Sequence, residues 1–297
     1  MTIKRVGLIG VGLMGHGIGK NILAKGYELT VMAHRNRAPV DDLIAKGATE
    51  RNNPLAIAKD CDMVILCVTG TPQIEQLVYG EYGLMGAVRP GLVIADCSTA
   101  EPASTVKIAA DVEAKGGHFV DTPMTRTPKE AAMGKLGLMT GGPDDVMARI
   151  RPVLECFADT IVHAGAVGSA HQLKLINNFL SIAHAAVAAE AITVAAKAGV
   201  NMQALKDIVM AGGAASVMFG RLIHVPLSDD DSHAQFAIRN ARKDLRYYTN
   251  MTEQLPVASF LAETAHQITV VADNMGYGDR FIPRLIDVMK KINDVKS

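Results

Sequence analysis

Apolar residues in the first half of the chain occur in short runs that alternate with segments of helical periodicity. Helical spacing is clearest at Ile18–Lys25, Ala103–Lys115 and Asp144–Phe157. The intervening strand-like runs are Arg5–Ile9, Glu28–Met32, Met63–Val68, Leu92–Ala95, His118–Val120, Leu136–Thr140 and Thr160–His163. Apolar strands that alternate with helices predict a parallel sheet covered by helices on both faces.

The second half begins with one long helical pattern. Gly165–Ser169 opens a run rich in Ala, Val, Ile and Leu that contains no proline up to Ala191, and helical spacing continues after Gly199. We therefore predict an α/β fold with two domains. Residues 1–164 would form a Rossmann-type doubly wound sheet domain, and residues 165–297 a long interdomain helix followed by an all-α substrate and oligomerisation domain.

Composition argues against several classes of partner. The chain has 30 basic and 30 acidic residues, which favours a small molecule over nucleic acid or an anionic membrane surface. The four cysteines form no CxxC pair and the nine histidines show no metal-ligand spacing, so we expect reduced, buried thiols and no metal site. Met1 leads directly into a strand pattern, and Asn177 and Glu190 interrupt the longest apolar run. These features predict a soluble, cytoplasmic protein without a membrane span.

A glycine-rich turn joins the first predicted strand to the first predicted helix. Gly10-Val11-Gly12-Leu13-Met14-Gly15 follows the strand at once, and a second strand comes after the helix. In this context Gly10 makes the tight turn, Gly12 lets the backbone approach a pyrophosphate, and Gly15 lets helix and strand pack closely. We predict a dinucleotide site here, with Leu13 and Met14 at the helix N-terminus that attracts the phosphates.

The end of the second predicted strand is basic where an NAD site usually carries an acid. His34-Arg35-Asn36-Arg37 occupy this place. A carboxylate would repel a 2′-phosphate on the ribose, whereas guanidinium groups would bind it. The sequence therefore favours NADP as the cofactor, with NAD and ordinary surface arginines as the alternative.

Polar residues also follow two further strands and interrupt the long helix. Val68, Thr69 and Thr99 lie at the carboxyl ends of strands, where parallel sheets bind ligands. Lys174 and Asn178 lie one turn apart on the long helix, so both project from one face. Because an unpartnered buried amine or carboxamide costs free energy, this face needs polar partners, water or a ligand. A solvated lysine and a core asparagine are the simpler explanation of the helix alone.

Taken together, these segments resemble the β-hydroxyacid dehydrogenase family, which contains 3-hydroxyisobutyrate, tartronate semialdehyde and related dehydrogenases. The similar segments are the glycine motif, Asp96-Cys97-Ser98-Thr99, Asp121-Thr122-Pro123-Met124-Thr125, Gly165–Asn178 and Lys243-Asp244-Leu245. The resemblance implies that Lys174 is the catalytic lysine and Asn178 its partner. It also implies that Thr99 and Lys243 lie near the nicotinamide and that Phe236 packs near the cofactor.

The substrate loop departs from the Ser-Gly-Gly of most of the family by reading Thr125-Arg126-Thr127. An arginine adds a full charge and a fork of donors at the anion site. The loop resembles the branch with 3-sulfolactaldehyde reductase and succinic semialdehyde reductase activity. By this resemblance the chain would transfer hydride between NADP(H) and a short anionic semialdehyde or hydroxy acid held by the three loop residues. Lys174 would donate the proton and Asn178 would orient the carbonyl.

Alternatives remain for both substrate and class. Arg126 could hold a carboxylate, as in a 3-hydroxyisobutyrate, tartronate semialdehyde or succinic semialdehyde enzyme. The chain could also be a non-catalytic dinucleotide-binding scaffold. By resemblance, the long helix and the apolar helical domain imply a homo-oligomer, either a dimer or a tetramer.

Overall fold

This computed structural model describes residues 2–295 of the chain. The chain divides into two compact units, Met1–Lys174 and Leu175–Ser297. The domain boundary expected from the sequence, between residues 164 and 165, precedes the long helix, whereas this division lies inside it. That boundary stays a prediction.

One twisted sheet forms the centre of the first unit. Its strands are β1 (Arg5–Ile9), β2 (Glu28–Met32), β3 (Thr49–Glu50), β4 (Met63–Leu66), β5 (Val93–Asp96), β6 (His118–Asp121), β7 (Met124–Thr125), β8 (Leu136–Gly141) and β9 (Ala158–Gly165). The strand order is β3-β2-β1-β4-β5-β6-β8-β7, and β9 pairs with β8. The first six positions in this order are parallel and give the doubly wound arrangement predicted from the sequence.

The helices of this unit cover both faces of the sheet. They are α1 (Leu13–Ala24), α2 (Ala38–Ala45), α3 (Pro54–Asp60), α4 (Thr71–Tyr79), α5 (Pro102–Glu113), α6 (Pro128–Ala132) and α7 (Asp144–Leu154). Side chains of β4 alternate between two cores: Ile65 packs in the core that contains Ile18 of α1. Leu66 packs in the core that contains Ile57 of α3 and Ile74 of α4. Each such side chain contributes about 1.5–3 kcal/mol when fully buried, which explains the continuous apolar strands.

Strand direction is the feature in which the sheet differs from the all-parallel prediction. Strand β8 runs antiparallel to β6 and to β7, with Asp121 opposite Gly141 and Met124 opposite Leu138. Strand β9 is again parallel to β8. An apolar run specifies burial but not direction, so the sequence pattern could not distinguish these strands from the parallel ones. The reversal places Met124 and Thr125 of β7 beside β8.

Helix α8 (Ser169–Lys197) begins in the first unit and continues into the second. By length and composition alone it could span a membrane, because its most apolar window has a mean hydropathy of 1.7. This differs from the expectation that its polar residues exclude such a match. In the structure 44% of that window is buried within the protein, and buried Asn178 forms a side-chain hydrogen bond, as a core helix would.

The second unit is helical throughout its described residues. After α8 it contains α9 (Met202–Ala211), α10 (Val217–Leu222), α11 (His224–Ser228), α12 (Ile238–Gln254), α13 (Phe260–Ala272) and α14 (Leu285–Ile292). Its core joins Ile182 and Ile192 of α8 to Leu245 of α12, Ala265 of α13 and Leu285 of α14. This agrees with the predicted all-α second half.

Candidate active site

The turn between β1 and α1 has the geometry of a phosphate site. Gly10 adopts φ +102, and a Cβ on Gly15 would overlap the Gly10 carbonyl oxygen, so both positions require glycine. A Cβ on Gly12 would meet nothing within 4 Å, which leaves open space above the turn. The first turn of α1 contains no acidic residue, and Leu13 is 83% exposed. An uncapped helix N-terminus with free space in front fits the pyrophosphate of a dinucleotide.

The basic loop after β2 does not leave all its charges free. His34, Arg35 and Asn36 are exposed. Arg37 donates two hydrogen bonds to the Glu50 carboxylate, at 2.9 and 2.7 Å, and also pairs with Asp41. The guanidinium accordingly holds the pKa of Glu50 below its usual value. The expectation that Arg35 and Arg37 bind a 2′-phosphate stays a prediction, but the charge of Arg37 is already balanced by Glu50 and Asp41.

Two strand ends meet beside this turn. The backbone N–H of Val68 donates to Ser98 Oγ at 2.9 Å, which fixes the loop after β4 to the loop after β5. Thr69 is exposed, and Thr99 is half-buried next to the buried Ser98. The candidate contacts Val68, Thr69 and Thr99 thus lie at the carboxyl ends of neighbouring parallel strands, as predicted.

Two buried carboxylates and a buried histidine lie behind these strand ends. Asp96 ends β5, Asp121 ends β6, and His171 belongs to the first turn of α8; all three side chains are 0% exposed. His171 Nε2 lies 3.8 Å from Asp96 Oδ2, and its Nδ1 lies 4.0 Å from Asp121 Oδ2. Burial raises the pKa of Asp96, which His171 partly counteracts. Sequence spacing does not reveal this cluster, because Asp96, Asp121 and His171 lie far apart along the chain.

Lys174 lies one turn after His171 on the same helix and is half-buried. Its Nζ donates a hydrogen bond of 2.6 Å to the carbonyl oxygen of Met124, the residue that opens the loop Thr125–Thr127. The structure therefore brings the predicted catalytic lysine and the start of the predicted substrate loop together within the first unit. The Met124 carbonyl was not among the sequence candidates, because a backbone acceptor leaves no mark in side-chain patterns.

The three loop residues expected to clamp an anion are engaged with the protein itself. Arg126 donates to Asp159 Oδ1 at 2.6 Å, to Thr160 Oγ1 at 3.1 Å, and to the Lys135 carbonyl. The hydroxyl of Thr125 donates to the Gly137 carbonyl at 3.2 Å. A hydroxyl has a single hydrogen to donate, so Thr125 presents only lone pairs to an anion in this conformation.

Thr127 is engaged in the same way. Its hydroxyl donates to the Glu130 carboxylate in a capping box that starts α6. The expectation that Thr125, Arg126 and Thr127 clamp an anion stays a prediction, and in this structure all three side chains bond within the protein.

A second polar group lies within the helical unit. Asn178 Nδ2 donates to Asp244 Oδ2 at 2.6 Å, and Lys243 Nζ lies 3.1 Å from Asp244 Oδ1. The Lys243 ammonium also lies 5.3 Å from the centroid of the Tyr247 ring. The side chains that the sequence selected here, Asn178 and Lys243, are therefore joined through buried Asp244. Phe236 is half-buried just before α12 and packs against the core of this unit.

The described part of the chain contains neither a metal-binding cluster nor a disulfide. Within residues 2–295 no three His, Cys, Asp or Glu side chains are arranged to hold a metal ion. The four cysteines are free, and burial raises the pKa of the Cys61 thiol to about 11. Such a thiol is protonated and unreactive near neutral pH.

Comparison with known proteins identifies the family. Residues 5–165 match the NAD-binding domain of 6-phosphogluconate dehydrogenase, and residues 168–288 match the NAD-binding family model of NADP-dependent 3-hydroxyisobutyrate dehydrogenase. A 3-sulfolactaldehyde reductase from Escherichia coli (strain K12) is 30% identical over 273 residues, which are 92% of this chain and 91% of that protein. The chain belongs to the β-hydroxyacid dehydrogenase family.

Further relatives of this β-hydroxyacid dehydrogenase cover the same length. A 2-(hydroxymethyl)glutarate dehydrogenase from Eubacterium barkeri is 28% identical over 98% of this chain and 96% of that protein. A crystal structure of 3-hydroxyisobutyrate dehydrogenase from Salmonella typhimurium matches with a TM-score of 0.84 and 27% identity, covering 96% of this chain and 99% of that one. The protein is therefore an NAD(P)-binding oxidoreductase, as the sequence predicted, of a family that acts on small hydroxy acids and semialdehydes.

Proposed function

We propose that this β-hydroxyacid dehydrogenase interconverts a short semialdehyde with an anionic far end and the corresponding hydroxy acid, with NADP(H) as cofactor. The observation that carries the proposal is the hydrogen bond from Lys174 Nζ to the Met124 carbonyl at the start of the loop Thr125–Thr127. This bond fixes the ammonium, which has three N–H groups and can act as a hydrogen-bond donor to a substrate oxygen, beside the predicted substrate loop.

Lys174 is the proton donor in the direction of reduction. Its ammonium gives a proton to the carbonyl oxygen of the aldehyde while the carbonyl carbon becomes tetrahedral. In the direction of oxidation the neutral amine takes the hydroxyl proton back. The cofactor, when bound, supplies the hydride. Asn178, one turn further along α8, donates to Asp244, and the family resemblance gives it the role of partner to the catalytic lysine.

The anion preference rests on Arg126. The hydroxyls of Thr125 and Thr127 donate to the Gly137 carbonyl and to Glu130. The guanidinium of Arg126 can therefore bind the terminal anion of a substrate if that anion replaces Asp159 as its partner. A fork of N–H donors suits both a carboxylate and a sulfonate. The similarity to a 3-sulfolactaldehyde reductase favours the sulfonate. The alternative substrates are carboxylates of the 3-hydroxyisobutyrate, tartronate semialdehyde and succinic semialdehyde type.

The cofactor preference rests on the loop after β2. Its exposed Arg35 has no acid partner among the described residues, and no carboxylate follows β2 before Asp41. An uncompensated guanidinium at this place favours a 2′-phosphate over a free 2′-hydroxyl.

A substrate panel run with both cofactors tests the proposal. Short aldehydes that differ only in the terminal group, sulfonate, carboxylate or methyl, are reduced with NADPH and with NADH while absorbance at the nicotinamide band is followed. We expect turnover of the anionic members, fastest with the sulfonate and NADPH. A faster carboxylate would move the assignment to the alternative substrates. Absence of turnover with all members would leave a dinucleotide-binding scaffold.

Replacement of Lys174 tests the chemistry itself. Lys174→Met keeps the aliphatic stem that packs on the helix but removes the ammonium. We expect kcat to fall by about 10²–10⁴, the usual contribution of a positioned general acid, with NADPH affinity nearly unchanged. Substantial residual turnover would remove Lys174 from the reaction.

A further inference from the structure

The buried cluster of Asp96, Asp121 and His171 has no part in the chemistry proposed above. Three titratable side chains without any solvent exposure are costly unless they make compensating interactions. We propose that this cluster is a positioning device, which locks the first turn of α8 and hence Lys174 to the Ser98–Thr99 segment at the end of β5. This inference rests on the proposed function, because it assigns a role in aligning Lys174.

Asp121 fixes the beginning of α8. Its Oδ1 accepts the backbone N–H of Gly168 at 2.8 Å, and its Oδ2 accepts the backbone N–H of His171 at 2.8 Å. One carboxylate thus satisfies two amides at the N-terminus of a helix of 29 residues, where a negative charge is also favoured by the helix dipole. Gly168 adopts φ +92, and a Cβ there would lie 2.9 Å from Val106 Cγ2, so the chain can enter the helix this way only with glycine.

The same aspartate also begins the loop that contacts Lys174. Met124, whose carbonyl oxygen accepts from Lys174 Nζ, follows Asp121 directly through Thr122 and Pro123. Asp121 therefore contacts the start of α8 through its carboxylate. Along the chain, it also leads into Met124, the residue that accepts the hydrogen bond from Lys174. A shift of the helix start would move the ammonium relative to its acceptor.

His171 fixes the other side of this turn. Its Nδ1 lies 2.8 Å from Thr105 Oγ1 on α5, and its Nε2 donates to the Ser98 carbonyl at 3.3 Å. A carbonyl can only accept, so Nε2 must carry a hydrogen. The ring thereby connects α8 to α5 and to the segment that precedes Thr99. His171 and Lys174 lie on adjacent positions of one helix face, so the ring and the ammonium move together.

Asp96 completes the connection from the strand side. Its Oδ1 accepts the Ser98 backbone N–H at 2.9 Å, while Oδ2 has no hydrogen-bond partner among the described residues and lies 3.8 Å from His171 Nε2. Asp96 and Asp121 are paired in register on neighbouring strands. The ends of β5 and β6 are therefore both connected to the first turn of α8. Because these contacts are buried, they are stronger than the same contacts would be in water.

The test compares His171→Ala with His171→Asn, Thr105→Val and the control His184→Ala in the full chain. His184 is an exposed histidine of the same helix outside the cluster. We expect His171→Ala to lower kcat by at least about tenfold, because a misplaced catalytic group is costly, with the KM for NADPH unchanged. The kinetic isotope effect on kcat with cofactor deuterated at the transferred position should rise, because the chemical step becomes slower than product release. His171→Asn keeps a polar group near Thr105 and should recover part of kcat.

Thr105→Val removes one hydroxyl without changing side-chain volume, so it keeps the experiment informative if His171→Ala does not fold. It should lower kcat less and raise the isotope effect in the same direction. Amide hydrogen exchange at residues 168–174 should be faster in His171→Ala and in Thr105→Val than in the wild type. This measurement needs no substrate. Wild-type kcat, isotope effect and exchange in folded variants would overturn the positioning role. Absence of turnover in the wild type and in His184→Ala, with faster exchange in the variants, would instead count against the proposed function.

Discussion

Arg126 combines an unfavourable backbone with a favourable side-chain contact. Its φ of +78 lies in the left-handed region, which costs a non-glycine residue about 1–2 kcal/mol. The guanidinium recovers part of this through Asp159, but the side chains are 37% and 43% exposed, and such a pair contributes about 0–1 kcal/mol. Stability alone does not account for an arginine here, which is consistent with a role in substrate binding.

Arg126→Gly and Asp159→Asn should change substrate affinity in opposite directions. Glycine removes the guanidinium and also relieves the backbone, so the protein should remain folded and the KM for the anionic aldehyde should rise by about tenfold or more. Asparagine removes the competing charge and should lower that KM. Steady-state kinetics with the anionic and the methyl-terminated aldehyde separate the effect on the anion from any general effect. Equal changes in both substrates would contradict anion binding by Arg126.

Arg35 and Arg37 provide a matched pair for the cofactor. Arg35→Ala should raise the KM for NADPH by about tenfold, as expected for the loss of a charge-assisted contact, and leave that for NADH unchanged. Arg37→Ala should have a smaller effect on NADPH, because Glu50 and Asp41 already balance its charge. Kinetics with both cofactors check the order. A larger effect of Arg37 would show that the salt bridges open when the cofactor binds.

At this scale the sequence identified residue types well and their partners poorly. Gly10 and Gly15 have the conformational roles expected of them, because the strand, turn and helix around them are local. Arg126, by contrast, pairs with Asp159, and Asp121 accepts the backbone N–H of Gly168, 47 residues later. Contacts between distant segments depend on the fold and not on spacing.

Helix α8 shows how an element can be buried on one side and exposed on another. Ile176, Leu180, Val187 and Val194 are 42%, 51%, 68% and 63% exposed. At about 100° per residue these four lie within about 40° of one another, so they form one apolar stripe. The opposite side carries Ile182, Ala189 and Ile192 of the buried core. A stripe of this kind agrees with the homo-oligomer expected from the sequence.

Val187→Glu should therefore weaken self-association. A carboxylate in the middle of the stripe would be desolvated in any helix-to-helix contact, which costs several kcal/mol when it is unpaired. Light scattering coupled to size-exclusion chromatography should show a smaller mass than the wild type. Val257→Glu makes the same substitution at an exposed valine outside α8 as the control. A wild-type protein that is monomeric at micromolar concentration would contradict the prediction.

Secondary structure, like the residue contacts, can be predicted from the sequence only where the signal is local. The apolar runs of β1, β2 and β4 are local and continuous, so they predict these strands. The strands β3 and β7 cannot be predicted in this way, because two residues are too few to show a periodicity. The direction of β8 depends on how the chain connects it to β7, and the pattern of apolar residues does not predict that connection.

The groups whose pKa values are shifted differ between the two units, so the pH at which acid destabilises each unit should also differ. In the first unit, contacts with bases lower the pKa values of Asp42 and Glu50, and hydrogen bonds from Arg5 and the backbone at Lys4 and Arg5 lower that of Asp62. Carboxyl groups of this kind stabilise the fold until the pH falls towards and below about 4. In the second unit, burial lowers the pKa of His266, with Arg246 and Arg242 acting in the same direction and Glu263 against it. Burial and the stacked ring of His233 lower the pKa of His224.

The second unit should consequently lose stability at a higher pH than the first. A histidine whose pKa is lower in the folded state takes up a proton more readily when unfolded, so its contribution is complete above the ordinary value of 6.5 and is lost as the pH falls from there towards the folded pKa. Calorimetric unfolding between pH 7.5 and about 5 should show a falling transition temperature, as expected for histidines that must charge on acidification. His266→Gln, which cannot titrate, should reduce this dependence, whereas His184→Gln on the exposed face of α8 should not. A wild-type transition that does not change over this range would show that neither His266 nor His224 is linked to unfolding.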